Sequence, residues 1–169
     1  MSLRALIGDL AVATTELAAI PTPRYRTPRD RFTTLYEHGW KLFHLAIEVG
    51  IARALDPEPL DGPMLQPLVE GFAGTYLLAQ LCTGLEDAFE GMYTQAGHVI
   101  NPRPWAHICL YRSGIEFLGE LLRHERSIAE ELDTGEADQH MRQWWKRLYA
   151  PLEIPSHMPA EHWWWFEPG

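Results

Sequence analysis

The chain has 169 residues, of which 14 are Lys or Arg and 23 are Asp or Glu, so its formal net charge at pH 7 is −9. This length favours one domain with a core of its own. Hydrophobic and charged fractions of 46% and 22% exclude wholesale disorder. No apolar run approaches the ~20 residues that span a bilayer, so we expect no membrane association. The acidic balance opposes sequence-independent binding of nucleic acid, which needs Lys and Arg to neutralise phosphates.

Two features of the sequence favour a cytoplasmic protein. Asp9 interrupts the first apolar stretch and no small-residue cleavage site follows it, so we do not expect a secretory signal. Cys82 and Cys109 form no Cys-x-x-Cys motif and have apolar neighbours in sequence. We therefore expect two protonated, unreactive thiols in a reducing compartment, with neither a disulfide nor a zinc site.

Proline marks the boundaries of the predicted helices, because it occurs only at 21–28, 57–67, 102–104 and 151–168. A proline in a helix interior costs roughly 3 kcal/mol, so helices are expected in the long stretches between these clusters. Apolar residues at three- and four-residue spacing predict four main helices, at about 2–19, 28–55, 64–93 and 105–132, and a short fifth helix at about 137–149. Ser2 and Thr27 are expected to cap the first two helices, and Gly135 to end the fourth.

The predicted fold is all-α. Four main helices joined by short connections bury their apolar stripes most simply as an antiparallel bundle. We therefore predict a helical bundle domain at 1–150, followed by an extended, Trp-rich tail at 151–169.

Tryptophan is concentrated at the C-terminal end, where five of the seven in the chain follow residue 143. The predicted partner-binding residues are Trp144, Trp145, Trp163, Trp164, Trp165 and Phe166, since large aromatic side chains dominate interface energetics. In an extended chain neighbouring side chains alternate, so residues 163–166 need a surface on each side. Two arrangements remain open: the tail returns to its own bundle or a second copy, or it docks into a different protein.

The main functional interpretation is a non-catalytic protein-interaction module without a cofactor, such as a regulator, an inhibitor or an assembly subunit. The sequence has no Gly-x-Ser-x-Gly motif, no Gly-rich phosphate loop and no dinucleotide fingerprint. The expected partner is a protein, either a different chain or a second copy. The net negative charge favours a partner with a basic surface.

A metal-binding bundle enzyme is one alternative. The second helix carries His44 and Glu48 on its polar face, and the fourth carries Glu116, Glu120 and His124 at four-residue spacing. If these faces met inside the bundle, their side chains would form a metal centre. However, the Glu-x-x-His pair of di-metal bundles does not occur in the sequence. The competing interpretation is a set of surface ion pairs such as Arg112–Glu116.

Metal-independent RNA cleavage is a second alternative. Arg31 precedes His38 with six residues between them, at the start of a predicted helix. This spacing resembles that of the HEPN nucleases, which are small helical bundles. The resemblance implies that His38 would transfer protons and that Arg31 would stabilise the charge on the phosphate. Phe32 departs from that family, which prefers a polar residue after the arginine.

Overall fold

The computed structural model describes residues 1–20, 27–92 and 99–166, apart from the side chains of residues 29 and 90–92. Within these ranges the protein is all-α, as predicted, and has no β-strand. The α-helices are α1 (Leu3–Ala18), α2 (Pro28–Leu55), α3 (Gly62–Phe72), α4 (Leu77–Met92), α5 (Pro102–Leu122), α6 (Arg126–Ala129) and α7 (Gly135–Trp144). Two short 3-10 helices, Trp145–Arg147 and Trp163–Trp165, follow α7.

Polar side chains cap the long helices where the sequence predicts them. The Ser2 hydroxyl accepts a hydrogen bond from the backbone N–H of Ala5 at 3.2 Å, and Thr27 accepts one from Asp30 at 3.2 Å. These bonds satisfy N–H groups that have no partner inside the helix. The first two helices therefore begin within one residue of the predicted positions.

The predicted third helix is two helices. Gly74 has φ 70° and Tyr76 has φ 55°, and both are left-handed values that interrupt a right-handed helix. The Thr75 hydroxyl donates to the carbonyl of Phe72 at 2.8 Å and accepts from the N–H of Leu77 at 3.2 Å. Thr75 therefore satisfies one backbone group at the end of α3 and another at the start of α4.

The predicted fourth helix also ends early, at Leu122, and Arg126–Ala129 forms a separate turn of helix. The prediction that Gly135 ends the fourth helix is wrong, because Gly135 is the first residue of α7. The acidic residues Glu136 and Asp138 lie in the first turn of α7, where a carboxylate is stabilised by the helix dipole.

Helix α2 lies at the centre of the bundle and packs against α1, α4 and α5, while α3 packs against α1. Helix α5 buries almost its whole length, including Trp105 and Tyr111. The Tyr111 hydroxyl donates to the carbonyl of Leu81 at 2.6 Å, which satisfies this polar group inside the core. Because α5 is buried on nearly all sides, its polar side chains need hydrogen-bond or ion-pair partners within the protein.

A glycine in α2 allows α5 to approach closely. A Cβ added at Gly50 would lie 2.0 Å from Cδ1 of Phe117, whereas a Cβ added at Gly8 in α1 would meet nothing within 4 Å. We expect Gly50→Ala to lower the free energy of unfolding by about 1–3 kcal/mol through overpacking. Gly8→Ala, the matched control, should raise it by roughly 0.5–1 kcal/mol. Urea denaturation of the two variants measures both effects, and equal effects of the same sign would contradict this packing.

No described helix combines the length and apolar character needed to cross a membrane.

Candidate functional site

The tryptophan run at the C-terminal end packs against the bundle of its own chain. Trp163–Trp165 forms a 3-10 turn, so the run itself is not extended. Trp164 and Trp165 are each only 2% exposed, while Trp163 and Phe166 are half-buried. Of the two arrangements considered for the tail, the structure contains the return to the bundle. Residues 167–169 of the predicted tail lie outside the described part of the chain.

The hydroxyl of Ser113, on α5, holds the tail in place. Its oxygen accepts hydrogen bonds from the indole N–H of Trp164 at 2.9 Å and of Trp165 at 2.8 Å. It also lies 2.9 Å from Nδ1 of His162. A hydroxyl oxygen has two lone pairs, and the two indoles occupy both. The hydroxyl proton has two acceptors within reach, Nδ1 of His162 and, at 3.7 Å, the thioether sulfur of Met158. The nitrogen is the nearer and stronger acceptor, so the proton is donated to Nδ1. One fully buried serine thus contacts four side chains of the tail.

This hydrogen-bond pattern fixes the protonation state of His162. Because Nδ1 accepts from Ser113, the neutral ring carries its proton on Nε2. The ring is 1% exposed, and Nε2 has no hydrogen-bond partner among the described residues. The ring packs on Phe117, at 4.5 Å between centroids, and on Trp164, at 4.7 Å. Burial is the largest cause that lowers the pKa of His162, and the positive charge of Arg112 acts in the same direction, whereas Glu116 and Glu161 raise it; the net pKa is about 4.

Arg112 provides a buried cation beneath the tail. Its guanidinium lies 4.1 Å from the ring centroid of Trp164, a cation–π contact. Nε and Nη2 donate to the two carboxylate oxygens of Asp138 at 2.7 Å and 3.1 Å, and Nη1 donates to Glu116 at 2.7 Å. Burial disfavours the charged guanidinium, but these two carboxylates outweigh that effect and raise the pKa of Arg112. The pairing satisfies a charge that would otherwise be costly to bury.

The backbone of the tail is also bound. The carbonyl of Trp164 accepts from the indole N–H of Trp145 at 3.2 Å and from the thiol of Cys109 at 3.3 Å. Burial raises the pKa of the Cys109 thiol well above its usual value and that of Cys82 to about 11. Both cysteines are free and buried. They are therefore protonated at neutral pH, as a buried, apolar environment predicts.

The six aromatic residues predicted to bind a partner fall into two groups. Trp144, Trp164 and Trp165 are buried, and the side chain of Trp144 is covered by Arg147, whose Cζ lies 3.8 Å from the ring centroid. Trp145, Trp163 and Phe166 are half-buried, and the exposed Arg142 lies over the ring of Trp163 at 4.2 Å. We refer to Trp145, Trp163, Phe166 and Arg142 as the outer aromatic surface.

The Ser113–His162 pair does not form a catalytic centre in this arrangement. A serine nucleophile activated by histidine requires access to a substrate and a free lone pair on its oxygen. Both side chains are buried, and the two indoles occupy the oxygen of Ser113. The chemistry of this pair is therefore attachment of the tail to α5.

The residues of the nuclease alternative line one cavity. Arg31 and His38 lie two turns apart on α2 and face a cavity of about 230 Å³ that α1 and α4 also line. The guanidinium of Arg31 is bound to the carboxylate of Asp87, which is 5% exposed. Part of the positive charge that would bind a phosphate is therefore already neutralised.

The residues of the metal alternative do not come together. No group of three or more His, Cys, Asp or Glu side chains within 1–20, 27–92 and 99–166 is arranged to hold a metal ion. His44 and Glu48 are exposed on α2, and His124 is exposed beyond the end of α5. Glu116 pairs with Arg112, which is the i,i+4 ion pair of the competing interpretation. Burial raises the pKa of Glu120, and the charge of Glu116 raises it further, while Arg53 and Arg123 lower it.

Four residues of the tail-binding site were not predicted from the sequence as site residues: Arg112, Ser113, Asp138 and His162. The available signal was a serine in the middle of a predicted helix with apolar residues before and after it, because a buried hydroxyl needs a partner. The partners themselves lie 49 to 52 positions away in sequence, and no local pattern identifies them.

No protein-family model, curated protein or solved structure matches this chain.

The low pKa of His162 predicts a stability that depends on pH. The ring stays neutral in the folded protein down to about pH 4, whereas in the unfolded chain it takes up a proton below its ordinary pKa of about 6.5. Protons therefore favour unfolding between these two values. Above about pH 6.5 the ring is neutral in both states, so the protonation of His162 does not change the free energy of unfolding. At about pH 5 it lowers the free energy of unfolding by about 2 kcal/mol.

Urea denaturation of the wild type and of His162→Gln is compared at neutral and acid pH. The difference between the two proteins separates the effect of His162 on the free energy of unfolding from the effect of the carboxyl groups. His124→Gln, at an exposed histidine, is the matched control and should keep the pH dependence of the wild type. Equal losses of stability in wild type and His162→Gln on acidification would contradict the assignment.

Proposed function

We propose that the protein is a non-catalytic interaction module that binds a partner protein through its outer aromatic surface. The observation that supports this proposal is the division of the tryptophan run: two indoles anchor the tail to the bundle, and Trp163 remains half-buried beside Arg142. Aromatic and Arg side chains are the residue types enriched in the energetic centres of protein interfaces.

The anchoring of the tail favours binding by the outer aromatic surface. Trp164 and Trp165 are bound through both indole N–H groups to Ser113, and the Trp164 carbonyl is bound as well. The outer residues are thus presented in a fixed conformation before a partner arrives. A surface that is ordered in advance loses less conformational entropy on binding, which increases affinity.

The charge near this surface indicates the chemistry of the partner. Arg142 is exposed and lies over the ring of Trp163, and Lys146, which follows Trp145 in sequence, is exposed as well. We propose that the partner presents apolar side chains against Trp163 and an acidic group against Arg142. The net charge of −9 attracts a partner with a basic surface over long distances. At the contact itself, the two local cations favour an acidic group on the partner.

The proposal is tested by comparing Trp163→Ser/Phe166→Ser with Trp40→Ser, a control at an exposed tryptophan of α2 that is outside the outer aromatic surface. Crosslinking in the source cells, followed by mass spectrometry, identifies partners and the contact residues, and titration of the purified pair gives the affinity. We expect crosslinks at 142–166 and at least a tenfold loss of affinity in the double variant only. Sedimentation of the isolated protein reports whether the partner is a second copy. Equal partner binding by both variants would contradict the proposal.

Metal-independent RNA cleavage stays a second candidate because Arg31 and His38 line the same cavity. In this mechanism His38 would transfer protons, and Arg31 would stabilise the phosphate. The test is incubation with single-stranded RNA in the presence of a chelator, with His44→Ala as the control for His38→Ala. Cleavage that only His38→Ala abolishes would support this candidate, and no difference between the variants would exclude it.

A further inference from the structure

The cavity beside Arg31 has polar and apolar sides. Arg31, Thr34 and His38 line it from α2, and Gln80 and Thr83 line it from α4. Its volume is about 230 Å³, which corresponds to roughly seven or eight water molecules at ~30 Å³ each. A molecule of about ten non-hydrogen atoms therefore fits inside the cavity, whereas only a small part of an RNA strand could enter it.

Arg31 has hydrogen-bond donors available in this cavity. Asp87 is bound at Nε and at Nη2 of the guanidinium. A guanidinium has five N–H groups, so two on Nη1 and one on Nη2 remain. Within the described residues no acceptor lies at Nη1. Asp87 therefore fixes the orientation of the guanidinium and leaves one of its edges for a ligand.

The charge balance favours a monoanion over a dianion. Among the described residues that line the cavity, Arg31 is the one with a permanent charge. The Asp87 carboxylate already offsets much of that charge. A phosphate dianion would bring two negative charges close to Asp87, whereas a carboxylate brings one and accepts hydrogen bonds from a guanidinium in a planar, two-point arrangement.

The remaining wall of the cavity is aliphatic. Leu17 and Ile20 contribute from α1 and the residues next to it, Leu35 from α2 and Leu77 from α4. Hydrocarbon placed against these side chains is removed from water, which favours binding. The complementary ligand therefore has an apolar body with one acidic group at its end.

We propose that this cavity binds a small monocarboxylate with an aryl or alkyl body, held by Arg31 at the acidic end and by the aliphatic wall at the other. The inference is independent of the proposed partner surface, since Trp163 and Phe166 do not line this cavity.

The test uses phenylacetate as the probe, with phenylacetamide, phenethylamine and inorganic phosphate as matched comparisons. Two-dimensional amide NMR of the full chain locates binding and gives the dissociation constants. We expect phenylacetate to shift the resonances of Thr34, His38 and Thr83, and to bind at least tenfold more tightly than phenylacetamide, which lacks the charge. Phenethylamine and phosphate should bind more weakly still. No shift at these residues, or equal affinity for acid and amide, would overturn the proposal.

A pair of neighbouring variants tests the location. Thr34→Phe places a ring in the cavity, whereas Thr33→Phe places the same ring on the adjacent exposed residue, which does not line the cavity. Phenylacetate binding should be lost in the first variant and retained in the second. Arg31→Lys, which keeps a positive charge beside Asp87, should weaken phenylacetate about tenfold and leave phenylacetamide unchanged. Retained binding in Thr34→Phe would overturn the assignment to this cavity.

Discussion

Replacement of Ser113 by alanine is expected to lower the free energy of unfolding by roughly 3–5 kcal/mol, although only one oxygen atom is removed. The hydroxyl is the acceptor for the indole N–H groups of Trp164 and Trp165 and the donor to Nδ1 of His162. The variant leaves these three polar groups without their partner in a dry environment. Each buried group without a partner costs about 1–3 kcal/mol, and some movement of the tail recovers part of the total. Urea denaturation monitored by tryptophan fluorescence measures the loss.

Ser127→Ala is the matched control, because Ser127 is exposed on α6. Its effect should stay within about 0.5 kcal/mol. A loss below about 1 kcal/mol in Ser113→Ala would mean that the indoles do not depend on this hydroxyl.

The second large effect is expected for Trp164→Ala, with a loss of roughly 3–5 kcal/mol. Trp164 is 2% exposed, packs against the guanidinium of Arg112 and is hydrogen-bonded to Ser113. Its removal leaves a cavity. The guanidinium of Arg112, although paired with carboxylates, then borders this cavity instead of an aromatic ring. Trp40→Ala removes the same side chain from a position that is 52% exposed and should cost less than about 1 kcal/mol. Thermal denaturation of the two variants gives the comparison, and similar losses would contradict the burial of Trp164.

The two substitutions are also expected to be coupled. Ser113 and Trp164 share a hydrogen bond, so the double variant should lose less stability than the sum of the two single losses. Strictly additive losses would indicate that the serine and the indole act independently.

Much of the helical architecture could be predicted because its causes are local. The caps at Ser2 and Thr27 and the prolines that follow or precede the helices act within a few residues. The break between α3 and α4 could not be placed, because Gly74 and Tyr76 adopt left-handed backbone conformations in a segment whose apolar pattern continues across it. Periodicity reports which side chains are apolar and does not report where the backbone turns.

The candidate site was predicted only in its outline. The concentration of aromatic residues after residue 143 indicated a segment whose indoles need apolar surroundings, and Trp144, Trp164 and Trp165 are buried in the structure. The 3-10 turn at Trp163–Trp165 could not be predicted, because it is set by long-range bonds to Ser113 and by the burial of both indoles. In the same way, the predicted pair Arg112–Glu116 forms, but the contact of Arg112 with Asp138 and Trp164 depends on the tertiary fold.

The tail-binding site and the outer aromatic surface are two sides of one segment. On the inner side, Ser113 and Arg112 fix the position of Trp164 and Trp165. On the outer side, Trp163 is half-buried and the exposed Arg142 lies over its ring, and these two residues belong to the surface proposed to contact a partner. A substitution at Ser113 should therefore also weaken partner binding, since it removes the support of the outer residues.

The most direct measurement of the docked tail is hydrogen exchange of the seven indole N–H groups, followed by NMR in deuterated water. We expect the indole protons of Trp164 and Trp165 to exchange slowly, as buried and hydrogen-bonded groups do, and the indole proton of the exposed Trp40 to exchange at once. Exchange of Trp164 and Trp165 as fast as that of Trp40 would contradict this expectation and show that these two rings are not anchored to α5.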